Sequence, residues 1–224
     1  MKPTLIVNDP GKFDRNIASL TRANYPQSLR SAREPYKNLA SPFILRLPIS
    51  ILKQAQKFTR VCDSLSENPR WVSRLSRGDQ NLCQATQQHS VLSCYDFHLS
   101  EANQLKLIEM NTNASGFLIS DLIYQAHDLE LENQEVNARD SLWQSFLSEY
   151  RLSERKQPLR KLAIVDEKPS AQRMHFEFLL FREWFQNLGV EAVIADINEL
   201  KVDPFNTKLL WSPQGFEIDF VYNR

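Results

Sequence analysis

The segment LKLIEMNTNASGF, Leu105 to Phe117, decides how this chain is read. Leu105, Leu107, Glu109 and Asn111 alternate with Lys106, Ile108 and Met110, a period of two that predicts a β-strand. On that strand Glu109 and Asn111 share a face about 7 Å apart, close enough for both side chains to reach one ion. Thr112 to Gly116 then break the strand with small and polar residues. A carboxylate and an amide oxygen beside such a loop suit a hard cation and the phosphate it carries. The plainer alternative is that Asn favours turns at strand ends and that a lone Glu on a strand face is solvated.

Working outward, Val91 to Leu99 predicts a partner strand, joined through the polar turn Ser100 to Gln104 as a β-hairpin. Asp96 and His98 share one face of it. His98 reads as a structural histidine, and Asp96 lies near Glu109 if the register permits. Upstream, Ile51, Leu52, Ala55, Phe58, Cys62 and Leu65 fall at helical spacing and predict a helix to about Ser66. Asn68 as cap and Pro69 at the first helical position start a second, short helix carrying Trp71, Val72 and Leu75 toward a core. Residues 1–47, punctuated by Pro26, Pro35 and Pro42, predict short helices joined by loops. Downstream, helices are expected over 117–129 and 138–150. The charged linker Ser153 to Pro158 marks the best boundary, giving a helical N-terminal region with a hairpin (1–157) and a second unit (158–224).

After that linker the rhythm is β-α-β. Leu162 to Val165 reads as a buried strand and Ser170 to Leu188 as a helix capped by Gly189. Val190 to Ala195 reads as the next strand, and Leu209–Trp211 with Phe216–Tyr222 as a terminal hairpin. The fold class is therefore α/β: an α+β first part, then a small parallel α/β layer. Asp166 and Glu167 follow the first strand, where such sheets place ligands. Equally, they open the following helix, where acidic residues favour the dipole.

Lys+Arg and Asp+Glu are both 27 in 224 residues. The zero formal charge supplies no field for nucleic acid or an anionic membrane. No apolar run nears the roughly 20 residues of a membrane span, and Met1 to Asn16 lack a signal-peptide apolar core. Cys62, Cys83 and Cys94 are odd in number and lack metal-type spacing, which fits buried or incidental thiols in a reducing cytoplasm. With only five glycines and no G-x-G-x-x-G or G-x-x-x-x-G-K-[ST], a dinucleotide fold or P-loop is disfavoured. A Rossmann-like methyltransferase is accordingly the weakest reading.

Three ordered segments carry a resemblance: Tyr95 to His98 with Leu105 to Asn113, Leu162 to Glu167 leading into Glu177 to Phe181, and Gly215 to Arg224. Together they resemble the eukaryotic-type glutathione synthetases and, more closely, related bacterial ATP-grasp-like proteins, over roughly residues 91–224. The resemblance implies that Glu109 and Asn111 hold Mg2+ on the phosphates of ATP. It implies that Arg224, in a V-Y-x-R motif, binds an acidic substrate, with Asp96, Ser115 and Glu167 as further candidate substrate contacts. The implied chemistry is activation of a small carboxylate as an acyl phosphate, followed by attack of an amine. The chain departs from the family at Cys94, where an arginine is expected, at Ala114 and Gly116, and at Pro169, Ser170 and Ala171. These departures point to a product other than glutathione. The ATP-grasp lobes lie beyond the position of Arg224 in the family, so the expectation is the front part of a ligase, inactive until the missing lobes or a partner chain are supplied. The alternative is a non-catalytic binding domain that retains the fold.

Overall fold

A computed structural model describes residues 3–7, 9–24, 41, 43–65, 68–75, 90–127, 137–153, 155–206 and 210–224. The chain divides into two compact units, one of Met1–Ile6, Phe43–Ala114 and Leu142–Ser153, the other of Val7–Pro42, Ser115–Ser141 and Glu154–Arg224. The division after Ser153 falls at the charged linker. The units nevertheless do not follow a linear 1–157 and 158–224 partition, because segments 7–42 and 115–141 join the second unit.

The first unit is built on the hairpin of β3 (Cys94–Leu99) and β4 (Leu105–Asn111), paired antiparallel. Strands β1 (Thr4–Val7) and β2 (Phe43–Arg46) form a separate two-stranded sheet where only helices and loops were expected. Four residues each are too few to display a period. Helix α2 (Ile49–Asp63) turns Ile51 inward and sets Phe58 edge-on against Phe97, ring centres 5.5 Å apart. Gln54 clamps the hairpin turn: its Nε2 donates to Asn103 O at 3.2 Å and its Oε1 accepts from Leu105 N at 3.4 Å. The short helix α3 (Pro69–Val72) begins as its sequence dictates, with Asn68 Oδ1 accepting from Arg70 N. Trp71, expected in a core, is exposed, as are Leu52 and much of Phe58. Cys83 and Ser66 lie outside the described residues.

The second unit holds a three-stranded parallel sheet in the order β10 (Phe220–Asn223), β5 (Lys161–Asp166), β6 (Glu191–Asp196). Central β5 is the run Leu162–Val165, buried on both faces, as a parallel strand requires. Helix α6 (His175–Asn187) returns the chain from β5 to β6 and packs Phe181 against Tyr222, centroids 5.2 Å apart. It starts later than its periodicity predicts. Pro169–Ala171 form a 3-10 turn, and extended backbone at Gln172 interrupts the helix before His175. Gly189, at φ 81°, closes it as expected. Helix α1 (Pro10–Asn24) packs on helix α4 (Phe117–Ala126): Phe13 stacks 4.4 Å from His127, and Asn16 Nδ2 donates to Ala126 O. Residues 128 and 129, expected in that helix, lie outside the described residues. Helix α5 (Ala138–Arg151), which belongs to the first unit from Leu142 onward, buries Leu142, Phe146 and Tyr150.

The expected terminal hairpin forms between 210–211 and 217–218, but its second arm is split between two sheets. Strand β9 (Glu217–Ile218) pairs antiparallel with β8 (Leu210–Trp211), which also pairs with β7 (Lys201–Val202). At Asp219 the chain leaves that sheet, and β10 joins β5 in parallel. Asp219 causes the break by accepting the N–H groups of Arg160 and Lys161 at 3.1 and 2.9 Å and pairing with Arg155. Leu209 lies outside the described residues. No helix among the described residues is long and apolar enough to cross a membrane.

Phe181 is fully buried against Trp184, Phe185 and Tyr222. Phe181→Ala is expected to lower the unfolding free energy by about 3–5 kcal/mol, read from urea denaturation followed by tryptophan fluorescence and circular dichroism. A loss below about 1 kcal/mol would mean that the site collapses around the deletion.

Candidate functional site

Pairing fixes which hairpin side chains share a face, because residues directly opposed across an antiparallel ladder project to the same side. Leu105, Lys106 and Leu107 face Leu99, His98 and Phe97, whereas Glu109, Met110 and Asn111 face Asp96, Tyr95 and Cys94. Ile108 is the extra residue of a β-bulge between these two stretches. The bulge reverses the alternation. Leu105 and Leu107 share the face of Tyr95, Phe97, Leu99 and Met110, while Glu109 and Asn111 join Cys94, Asp96, His98 and Lys106. The sequence expectation that Leu105 and Leu107 share a face with Glu109 is therefore corrected, and the expectation that Glu109 and Asn111 share one stands. His98, expected as structural, is exposed beside Lys106.

Cys94, Asp96, Glu109 and Asn111 thus form an exposed four-residue patch at the open end of the hairpin. Asn111 Nδ2 donates to Glu109 Oε1 at 2.9 Å, which orients that carboxylate, and Cys94 Sγ lies 3.6 Å from Asp96 Oδ1. Burial pushes the Cys94 thiol up, and the charges of Asp96 and Glu109 push it further. Two carboxylates directly opposed across a ladder repel one another, so the patch favours a cation. No group of three or more His, Cys, Asp or Glu among the described residues is placed to hold a metal. The oxygen donors on this face are two carboxylates and one amide. The loop leaving β4 is tied back at both ends: Ser90 Oγ donates to Thr112 O, and Ala114 N donates to Leu92 O.

In the second unit the sheet order itself points to a place. From β5 the chain crosses to β6 on one side, while β10 lies on the other, so the order reverses at β5. In open parallel sheets the crevice at the carboxyl ends of such strands is where ligands bind. Arg224 sits there, directly after β10, its N–H donating to Val165 O. Its guanidinium donates to Tyr222 Oη at 2.7 Å, lies over the Tyr222 ring and donates to Ser115 Oγ. Ser115 and Arg224, both expected to meet substrate, are therefore brought together. Glu167 is not. It is exposed, and among the described residues it pairs with Lys168, at 3.9 Å. Asp166 and Glu167 end the strand rather than open a helix. Asp166 Oδ1 accepts from Glu167 N and from Gln172 Nε2. The neighbouring Asp196 is held below the usual carboxylate range by the N–H groups of Asn198 and Lys168.

The chain matches no known protein-family model, and no curated protein matches it in sequence. The assignment of a site therefore rests on this geometry.

Glu177 is the residue that sequence reading assigned no role. It is fully buried in the first turn of α6, and its two oxygens accept from Leu118 N at 3.0 Å and Ile119 N at 3.1 Å. A side chain from one helix thus caps the amino end of another, just after Gly116, whose φ of 95° suits only glycine without strain. Burial pushes the Glu177 carboxyl up, against the pull of these N–H groups and of Arg224. Burial likewise pushes Tyr222 up to about 12, with Arg224 opposing. The available signal was a single charged residue inside the apolar run Phe176–Phe181.

Glu177→Ala is expected to destabilise the protein by about 1–3 kcal/mol for each buried N–H left without an acceptor. Because the folded carboxyl lies above its unfolded value of about 4.3, the folded protein keeps this proton to higher pH than the unfolded chain. The resulting stability is complete below about pH 4 and is lost as pH rises through the folded value. Urea unfolding of native protein and of Glu177→Gln, from about pH 4 to about pH 8, should show the native protein losing stability relative to the variant. The opposite trend would mean that the N–H groups and Arg224 outweigh burial.

Proposed function

We propose that this chain carries the metal-holding and carboxylate-binding parts of an ATP-dependent carboxylate–amine ligase of the ATP-grasp type. The observation that carries the reading is the bulged hairpin, which sets Glu109 beside Asn111 and opposite Asp96. The ordered similarity of three segments to the glutathione synthetase type supports it. So does the placement of Arg224 with Ser115 at the carboxyl ends of β10 and β5.

Hard oxygen donors fit Mg2+, which commonly takes one or two protein carboxylates and completes its shell with water and substrate phosphates. Glu109, Asn111 and Asp96 would hold it, and when bound it would neutralise charge on the transferring phosphoryl group. Arg224 would clamp the substrate carboxylate through paired N–H donors, with Ser115 and Tyr222 fixing the plane of its guanidinium. The carboxylate attacks the terminal phosphorus of ATP and ADP leaves; an amine then attacks the acyl phosphate, releasing phosphate and forming the amide. The nucleotide-binding lobes of this reading come from a partner chain or from sequence beyond these 224 residues.

Two measurements test it on the protein as its host produces it. Mn2+ binding followed by electron paramagnetic resonance should weaken by about tenfold to a hundredfold in Glu109→Gln, with a smaller loss in Asp96→Asn. Phosphate release from ATP, screened against small carboxylates paired with amines, should fall by a similar factor in Glu109→Gln while the melting temperature holds. Unchanged Mn2+ affinity in both variants would remove the metal role. Metal binding without phosphate release for any pair would favour a non-catalytic binding domain.

A further inference from the structure

The amino end of the parallel sheet, away from Arg224, holds a concavity of about 490 Å3 in the second unit. Its charged lining is Arg155, Lys156, Arg160 and Lys161 against Glu217 and Asp219. Four cations facing two carboxylates leave a net of two positive charges there, on a chain whose formal charge is zero.

Both carboxylates are engaged within the fold. Asp219 accepts the backbone N–H groups of Arg160 and Lys161 and binds Arg155 Nη1 at 3.1 Å, and Glu217 lies 3.6 Å from the same nitrogen. The Lys161 ammonium rests over the Phe216 ring, 5.2 Å from its centre. Lys156 and Arg160 make no ion pair with any described residue. The backbone that carries two of these cations is also held in place, as is the Arg155 side chain. Arg160 and Lys161 enter β5 with their amides fixed by Asp219, and Arg155 ties the preceding segment to β9 and Asp219. A positive concavity on a rigid edge raises the local concentration of anions.

We propose that this concavity binds the phosphate group of a small anionic ligand. A net of two positive charges matches a phosphate dianion. Guanidinium forks and lysine point charges suit its oxygens. The volume lies within the roughly 300–1,000 Å3 of small-molecule sites, so a phosphorylated metabolite fits as well as the bare ion. The site lies at the opposite strand ends from the Arg224 cluster and stands independently of the ligase reading.

The test is a titration of the isotopically labelled protein with inorganic phosphate, with pyrophosphate and with succinate, at fixed ionic strength because exposed charges are screened by salt. Amide resonances of residues 155–161 and 217–219 are read. The double variant Lys156→Gln/Arg160→Gln keeps every hydrogen bond to Asp219, because Arg160 contributes only its backbone N–H. Phosphate or pyrophosphate should shift these resonances saturably, and the variant should weaken binding at least tenfold without a change in melting temperature. Absence of shifts in this segment, or equal affinity in the variant, would overturn the site. Succinate binding as tightly as phosphate would overturn the phosphate assignment.

Discussion

A charged group buried without solvent is costly unless it is fully hydrogen-bonded and electrically balanced. Glu177 meets them in part in the second unit: two backbone donors from the first turn of α4 and the positive field of Arg224 oppose its burial, which still pushes the carboxyl up. Because the same carboxylate serves both, three stretches distant in sequence are tied together: the Ser115–Gly116 turn, the start of α6 and the end of β10. The carboxylate occupies the helix end that would otherwise attract a soluble anion. The guanidinium of Arg224, steadied by Tyr222 and Ser115, is the cationic group of this cluster.

Much of this architecture was legible because it is local. The buried run Leu162–Val165, the Gly189 cap and the Asn68–Pro69 helix start each follow from a few neighbouring residues. The polar turn between two short alternating segments also gave the hairpin. What stayed hidden depends on partners. A bulge at Ile108 is a property of two strands in register, so neither strand alone announces it. The break at Asp219 exists because Arg160 and Lys161, nearly sixty residues earlier, present free N–H groups. The run from Phe216 to Tyr222 looks like one strand for that reason. Glu177 was hidden by its surroundings, since a helix of phenylalanines reads as core and offers no hint of the amide groups it meets.

The candidate site was legible in part. Glu109 and Asn111 were placed together by period alone, and pairing added Asp96. The meeting of Ser115 with Arg224 required the fold, because 109 residues separate them. Glu167 shows the limit of arguing from the end of a strand. It occupies the expected edge, yet among the described residues its side chain pairs with Lys168, while its neighbour Asp166 turns back to bind the loop.

The bulge has a further consequence for what the hairpin can tolerate. One surplus residue rotates the distal half of β4 by half a pleat, so the strand carries an apolar stretch and a polar stretch on opposite sides with no break in its hydrogen bonding to β3 beyond that point. The bulge, rather than the alternation of residues, therefore decides which side Glu109 and Asn111 take. Regular pairing of the same residues would turn both toward the side of Tyr95 and Phe97. Deleting Ile108 would instead remove the bulge and leave Glu109 opposite Asp96 and Asn111 opposite Cys94.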